Sequence, residues 1–392
     1  MYNRVMEDFD YLGAGEVYSD GACQSLRPRP VIEAINKYYT EHNSCGERVK
    51  YKWGRQTDEL VEGTREKVLK YLGLKSKKYT VSFTLNTTYG INLLLTQIDA
   101  RKFKKIMTSN IEHNSPFLAT MALSETSGLP REVMHRNDDG SINISDYDFT
   151  DAIVVVNAAS NFDGRKLNNI AELNKAVHRA GGILIIDAAQ AMAHSADVLR
   201  GIEVDAICFS AHKMYAPSLG VIAWRDELAQ FLVPRWLGGG MVDDVDVDNY
   251  RLSSDNKEHR YTRFESGLQA WGEIVGLGAA IDWLSGVSKK DWRDFEANYH
   301  ELYDFLKNSE KVSMINYEAN PTMSFYVEGL DSHLLGEALS REDIMARTGY
   351  FCVHYYLDHE MGCPPLMRFS LGLHNRAEDI IKVKNILGKI IG

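Results

Sequence analysis

The sequence predicts an α/β protein: a mostly parallel sheet with helices on both faces, plus a smaller C-terminal α+β domain. Between residues 79 and 225, short β-rich runs alternate with amphipathic stretches. Several of these runs are apolar throughout, as expected of strands covered on both faces. Beyond residue 286 that rhythm stops, and strand-like pairs precede helices instead.

Taken in order, the opening MYNRVMEDFDYLGAGE carries acids and no long apolar stretch, so it is not read as a secretory signal. The strand runs are YTVSFTL (79–85), FKKIMTSN (103–110), DAIVVVNAA (151–159), GILIIDAA (182–189), VDAICFSA (204–211) and GVIAWR (220–225). NNIAELNKAVHRAGG places Ile170, Leu173 and Val177 on one helical face and stops at Gly181 and Gly182. GLQAWGEIVGLGAAIDWLSGV (267–287) reads as a connecting helix. VSMINYE (312–318) and TMSFYVEG (322–329) read as strands, and DSHLLGEALS and RAEDIIKVKNILGKII as helices. The expected division is a large domain over 17–285 and a small one from 1–16 with 286–392.

Of the 392 residues, 44% are hydrophobic and 25% charged, the balance of a chain with a buried core. A net charge of -10 argues against a nucleic-acid partner, which demands a basic face. No run approaches the ~20 apolar residues that span a bilayer. Cys23, Cys45, Cys208, Cys352 and Cys363 are scattered and odd in number, which suits a reduced, cytoplasmic protein better than a disulfide framework.

In open α/β sheets, ligands sit at the carboxyl ends of the strands, so the residues after each run carry the chemistry. After 79–85 comes NTTYGIN, with Thr87 and Thr88 opening a helix, an arrangement that suits an anion such as phosphate or a simple helix cap. His113 follows the run at 103–110, and Asn161 the run at 151–159. Asp187 ends GILIID, with Gln190 close behind; a buried acid needs a cation or strong donor. Ser210, His212 and Lys213 follow VDAICF. Hydroxyls, an acid, an amide, a histidine and one lysine at neighbouring strand ends are what a pyridoxal 5'-phosphate site requires.

Eight ordered segments now carry a resemblance: VYSDGACQSLRP, NTTYGIN, EH at 112–113, DAAQ, SAHKMYAP, RFESG, RTGYFC and MRFSLGLHN. They resemble those of the class V, fold type I pyridoxal-phosphate enzymes, and within these the SufS-like (group II) cysteine desulfurases and selenocysteine lyases. The family's versions include GTTEGIN, DGAQ, SGHKLYGP, RFEAG and RTGHHC.

The resemblance implies Lys213 as the cofactor-bearing lysine, Asp187 as partner of the pyridine nitrogen and His113 stacked over the ring. It implies Asn161 and Gln190 at the phenolic oxygen, and Thr87, Thr88, Ser210 and His212 at the phosphate. Arg368 would clamp the substrate carboxylate, and Cys352 would take the sulfur as a persulfide. The implied reaction turns L-cysteine, or a related sulfur or selenium amino acid, into L-alanine. A homodimer and a sulfur-acceptor protein, as in iron–sulfur cluster assembly, are implied with it.

The sequence departs from the family pattern in three places. Tyr350 and Phe351 replace two histidines before Cys352, and an apolar neighbourhood disfavours a thiolate. Leu268 replaces a threonine expected to reach the partner's phosphate, and Cys23 replaces an alanine.

One rival reading is a C–S lyase or aminotransferase of the same fold, with Cys352 structural. Another is a zinc module from Cys352, His354, His359 and Cys363, although their C-x-H-x4-H-x3-C spacing fits no common zinc pattern. The acidic run DDVDVDNYRLSSD (243–255) lacks the glycine of a calcium loop and reads as a solvated hairpin. Gly238–Gly240 reads as a flexible loop near the site mouth.

Overall fold

The computed structural model describes residues 4–46 and 49–392; residues 1–3 of the N-terminal segment assigned above to the small domain lie outside them. Its centre is a seven-stranded sheet of β1 (Tyr79–Thr84), β2 (Lys105–Ser109), β3 (Arg131–Met134), β4 (Ala152–Asn157), β5 (Ile183–Asp187), β6 (Ala206–Ser210) and β7 (Gly220–Arg225). The spatial order is β1-β7-β6-β5-β4-β2-β3. β6, β5, β4, β2 and β3 pair in parallel, while β7 runs antiparallel to both β1 and β6.

The six apolar runs fall on strands, and β3 is the strand the sequence did not announce. It is short, half-buried and charged, as suits a sheet edge. The reversal of β7 has a length cause. Only residues 211–219 separate it from β6, fewer than the dozen or so that a parallel crossover requires.

Burial alternates along the central strands. Ile153, Val155, Ile183 and Ile185 face one apolar layer, and Val154, Val156, Leu184 and Ile186 face the other. Both faces are therefore covered, which is why these runs are apolar at every position.

Helices α1 (Arg29–Glu41), α2 (Lys52–Leu72), α3 (Thr87–Gln97), α4 (Asn114–Ser127) and α5 (Ile170–Arg179) precede α6 (Trp271–Gly286), which packs on α1 and α2. α6 begins after the residue the apolar pattern suggested, because Gly267 adopts φ +83° and donates its N–H to the Gly239 carbonyl at 2.7 Å. The acidic run lies on an exposed antiparallel hairpin, Val242–Val245 with Tyr250–Leu252.

Helix α7 (Lys289–Lys307) leads to an antiparallel sheet of β8 (Val312–Met314), β9 (Thr322–Val327), β10 (Arg347–Gly349) and β11 (Leu366–Ser370), ordered β8-β9-β11-β10. Helices α8 (Ser332–Ser340) and α9 (Ala377–Ile391) complete this region. Val17 and Tyr18 pair in parallel with Ile344 and Met345, and Asp20 bridges Ser370. The N-terminal segment thus runs along the second sheet before reaching the carboxyl edge of the first.

Candidate active site

Strands β1, β2, β4, β5 and β6 end on one edge of the sheet, and the residues after them line a single cavity of about 290 Å³. Thr87, Thr88, His113, Asn161, Asp187, Gln190, Ser210, His212, Lys213, Cys352 and Arg368 all line it. Every site residue expected from sequence is therefore brought to one place.

One end of the cavity is an anion cradle. Asn86 caps α3, its side-chain oxygen accepting the Tyr89 N–H at 2.9 Å. The cap is thus Asn86 rather than a threonine, and Thr87 and Thr88 form the first turn, where N–H groups lack intrahelical partners. The Thr87 N–H donates to Ser210 Oγ at 2.8 Å, and the two hydroxyls lie 2.6 Å apart. Thr88 Oγ1 is 2.6 Å from Ser115 Oγ. Four hydroxyls and a helix N-terminus converge here, and His212 lines the same cavity.

The Ser115 N–H donates to His113 Nδ1 at 3.0 Å, and the Ser115 hydroxyl lies 2.8 Å from the same nitrogen. Nδ1 is therefore an acceptor, and the imidazole carries its proton on Nε2. Burial, reinforced by Lys213 and Arg368, lowers the His113 pKa to about 3, so the ring is neutral. Behind it, buried Glu112 accepts from Ser109, and burial pushes its carboxyl up to about 7 against the pull of Arg136.

Lys213 closes a short turn after β6, clamped where Ser25 donates its N–H and hydroxyl to the His212 carbonyl, each at 2.9 Å. Burial lowers its pKa, opposed by the Asp187 carboxylate. Asp187 is 4% exposed; Oδ1 accepts the Ala189 N–H at 2.9 Å, and Oδ2 makes no hydrogen bond among the described residues. Burial raises this acid's pKa. A buried carboxylate with one free oxygen on a cavity wall demands a proton-bearing partner.

Arg368, which also lines the cavity, is 3% exposed. It donates NH1 to the Asn161 carbonyl at 2.9 Å and NH2 to Asp20 Oδ1 at 2.8 Å, and it stacks 4.7 Å above the Phe351 ring. Its buried Nε has no partner among the described residues. Gln190 donates to the Ala22 carbonyl at 2.8 Å.

Asn161 donates Nδ2 to the Phe351 carbonyl at 2.6 Å, and the Asn114 N–H donates to the Cys352 carbonyl at 2.7 Å. These bonds hold Phe351 and Cys352 at φ +50° and +60°, a left-handed conformation costing about 1–3 kcal/mol per non-glycine residue. Phe351 turns into an apolar cluster with Ile111, Phe162 and Val353, while Cys352 stays exposed on the cavity. The apolar residue that replaces a family histidine is thus largely buried, and it lines the cavity beside the exposed thiol.

Sequence reasoning left Asn86, Ser115, Asn157 and Arg347 without a role, yet they line the same cavity. Asn86 was findable as an Asx residue before a helix, and Arg347 as part of RTGYFC. Ser115 carried no local signal. Gly238–Gly240 do not line the cavity; Gly239 bonds Gly267 instead. Cys352, His354, His359 and Cys363 do not gather, and among the described residues no three His, Cys, Asp or Glu side chains form a group that would hold a metal ion.

The donor set tests well against pyridoxal phosphate. The hydroxyl cradle suits a phosphate, the free Asp187 oxygen a protonated ring nitrogen, and the pKa-lowered Lys213 amine an aldehyde.

Residues 17–383 match the family model described as aminotransferase class-V. A relative from Vibrio cholerae described as a probable cysteine desulfurase is 26% identical over 389 residues, covering 96% of this chain and 93% of its own length. A cysteine desulfurase from Pectobacterium atrosepticum is 28% identical, covering 96% of this chain and 95% of its own. The solved apo structure of a cysteine desulfurase from Thermococcus onnurineus superposes with a TM-score of 0.88 at 26% identity, covering 100% of this chain and 98% of that one. The Escherichia coli cysteine desulfurase CsdA shares the fold at a TM-score of 0.88 and 21% identity, covering 99% and 98%.

Proposed function

Because the chain belongs to the aminotransferase class-V family, we propose that it is a pyridoxal-phosphate-dependent cysteine desulfurase converting L-cysteine to L-alanine. One observation carries this reading. An exposed thiol, Cys352, lines the same cavity as Lys213, Asp187 and Arg368. A lyase or aminotransferase has no use for a thiol at that place, held there at the cost of two left-handed residues.

Thr87, Thr88, Ser210 and the first turn of α3 would hold the phosphate, and Asp187 Oδ2 the ring nitrogen. When bound, the cofactor supplies an aldehyde for amines and a ring that stores the electron pair left on the substrate's α-carbon. Arg368 orients the substrate carboxylate with its remaining donor capacity, its guanidinium steadied by Asp20 and the Phe351 ring. The Lys213 amine, its pKa lowered by burial, takes the α-proton. His113, neutral and protonated on Nε2, passes a proton on the cavity side. Cys352 attacks the substrate's sulfur, forming an S–S bond while the Cβ–S bond breaks.

Exposed Leu268, Trp236 and Leu237, at 77%, 52% and 46%, support a homodimer in which that loop meets a second copy. Sedimentation would report it. The decisive experiment for the reaction is a pair of variants assayed for alanine and sulfide from L-cysteine. Lys213→Ala loses the visible absorbance of the bound cofactor. Cys352→Ser keeps that absorbance and loses sulfur release, and undiminished release by Cys352→Ser would refute the reading.

A further inference from the structure

Of the five cysteines, two line the active-site cavity, Cys23 and Cys352. Cys208 is buried in β6, and neither Cys45 nor Cys363 lines it. Both thiols are exposed, and Lys213 lines the same cavity.

Arg368 ties the two loops together. Its NH2 group bonds Asp20 at 2.8 Å, and Asp20 accepts the Cys23 N–H at 3.0 Å in the turn that carries Cys23. The same guanidinium lies 4.7 Å above the ring of Phe351, the residue before Cys352. The turn is also anchored to β11, where the Ala22 N–H donates to Ser370 Oγ at 2.9 Å. Cys23 and Cys352 line the same 290 Å³ cavity, and a single guanidinium, that of Arg368, touches both loops. Cys352 stands on a strained loop, and Arg368, buried with its Nε unpartnered among the described residues, lines the cavity with both thiols.

We propose that Cys23 is a resolving thiol that releases the sulfur carried by Cys352 as sulfide. This rests on the desulfurase reading above. The Cys23 thiolate attacks Sγ of the Cys352 persulfide. A new Sγ–Sγ bond forms, the bond to the outer sulfur breaks, and that sulfur leaves as HS⁻ with the electron pair. The outer sulfur is reduced to sulfide, and the two thiols are oxidised to a disulfide. A low-molecular-weight thiol then reduces the disulfide and is itself oxidised. Sulfur taken up from the substrate thereby leaves as free sulfide rather than being held for transfer.

The test supplies one equivalent of L-cysteine to the holoenzyme without added thiol, quenches with N-ethylmaleimide and maps peptides by mass. The expected result is alanine, one equivalent of sulfide and a Cys23–Cys352 disulfide, whereas Cys23→Ser retains the extra sulfur on the Cys352 peptide. Alanine with the sulfur still on Cys352 in the unaltered enzyme would overturn the proposal and leave the desulfurase reading intact; so would sulfur found on Cys23 without a disulfide. Should no alanine form, inorganic polysulfide loads Cys352 directly in a parallel sample. Sulfide and the disulfide there support the thiol pair, and a lasting persulfide overturns it.

Discussion

Glu265, from the RFESG segment, has a fully buried side chain and grips Arg65 with both oxygens, at 2.6 and 2.8 Å. Arg65 is sandwiched between the rings of Phe83 and Tyr261, at 4.6 and 4.1 Å, and donates to the Val81 carbonyl at 2.5 Å. Glu265 Oε1 also accepts the Phe83 N–H at 2.7 Å, which joins this latch to β1, the strand that delivers Thr87 and Thr88.

Glu265→Ala leaves the buried Arg65 guanidinium with only the exposed Glu62 carboxylate, 3.0 Å from its Nε, at up to about 3–5 kcal/mol. It also leaves a buried N–H unsatisfied, at about 1–3 kcal/mol. Together these reach up to about 4–8 kcal/mol, a large part of the ~5–15 kcal/mol that holds a native protein folded. Glu265→Gln keeps one acceptor and loses the charge, for about 1.5–3 kcal/mol. The double variant Arg65→Met with Glu265→Leu removes both charges and should be more stable than Glu265→Ala alone. Urea midpoints at constant m-value measure all three. A cost under about 1 kcal/mol for Glu265→Ala, or a double variant no better than the single, would refute the argument.

Asp187→Asn keeps the Ala189 bond and loses the anionic oxygen on the cavity wall. Cofactor affinity should fall about 10- to 150-fold, the equivalent of ~1.5–3 kcal/mol for one charge-assisted bond, and a titration followed by visible absorbance reads it. His374 is 1% exposed, and burial lowers its pKa to about 4. Its folded pKa lies below its unfolded one, so its contribution to stability is complete above ~6.5 and is lost as pH falls toward ~4, at about 1.4 kcal/mol per pH unit. Urea midpoints at pH 7 and pH 5 should differ in that sense, and His374→Gln should flatten the slope; an unchanged slope would exclude His374 as a source.

The strand-end residues were legible because a parallel sheet puts consecutive strand termini on one edge, so local position along the chain predicts spatial neighbourhood. What was illegible involved partners without a local mark. Ser115, which sets the tautomer of His113, is an ordinary serine at the start of a helix. β3 escaped notice because a short, half-exposed edge strand has no apolar run to show. Asn86 was overlooked in favour of the threonines it introduces, although a capping amide is a local signal.

By itself the sequence determined the α/β architecture and the residues at the carboxyl edge, because burial on both faces writes itself into every strand position. The tertiary structure alone decided the reversal of β7, the clamp of Arg368 on an Asp20 carboxylate 348 residues away, and the placing of Cys23 and Cys352 on one cavity. Those depend on how loops close and on which distant groups desolvate one another. Such contacts leave no periodicity in the chain, since each is made once, between residues whose local surroundings are indifferent to it.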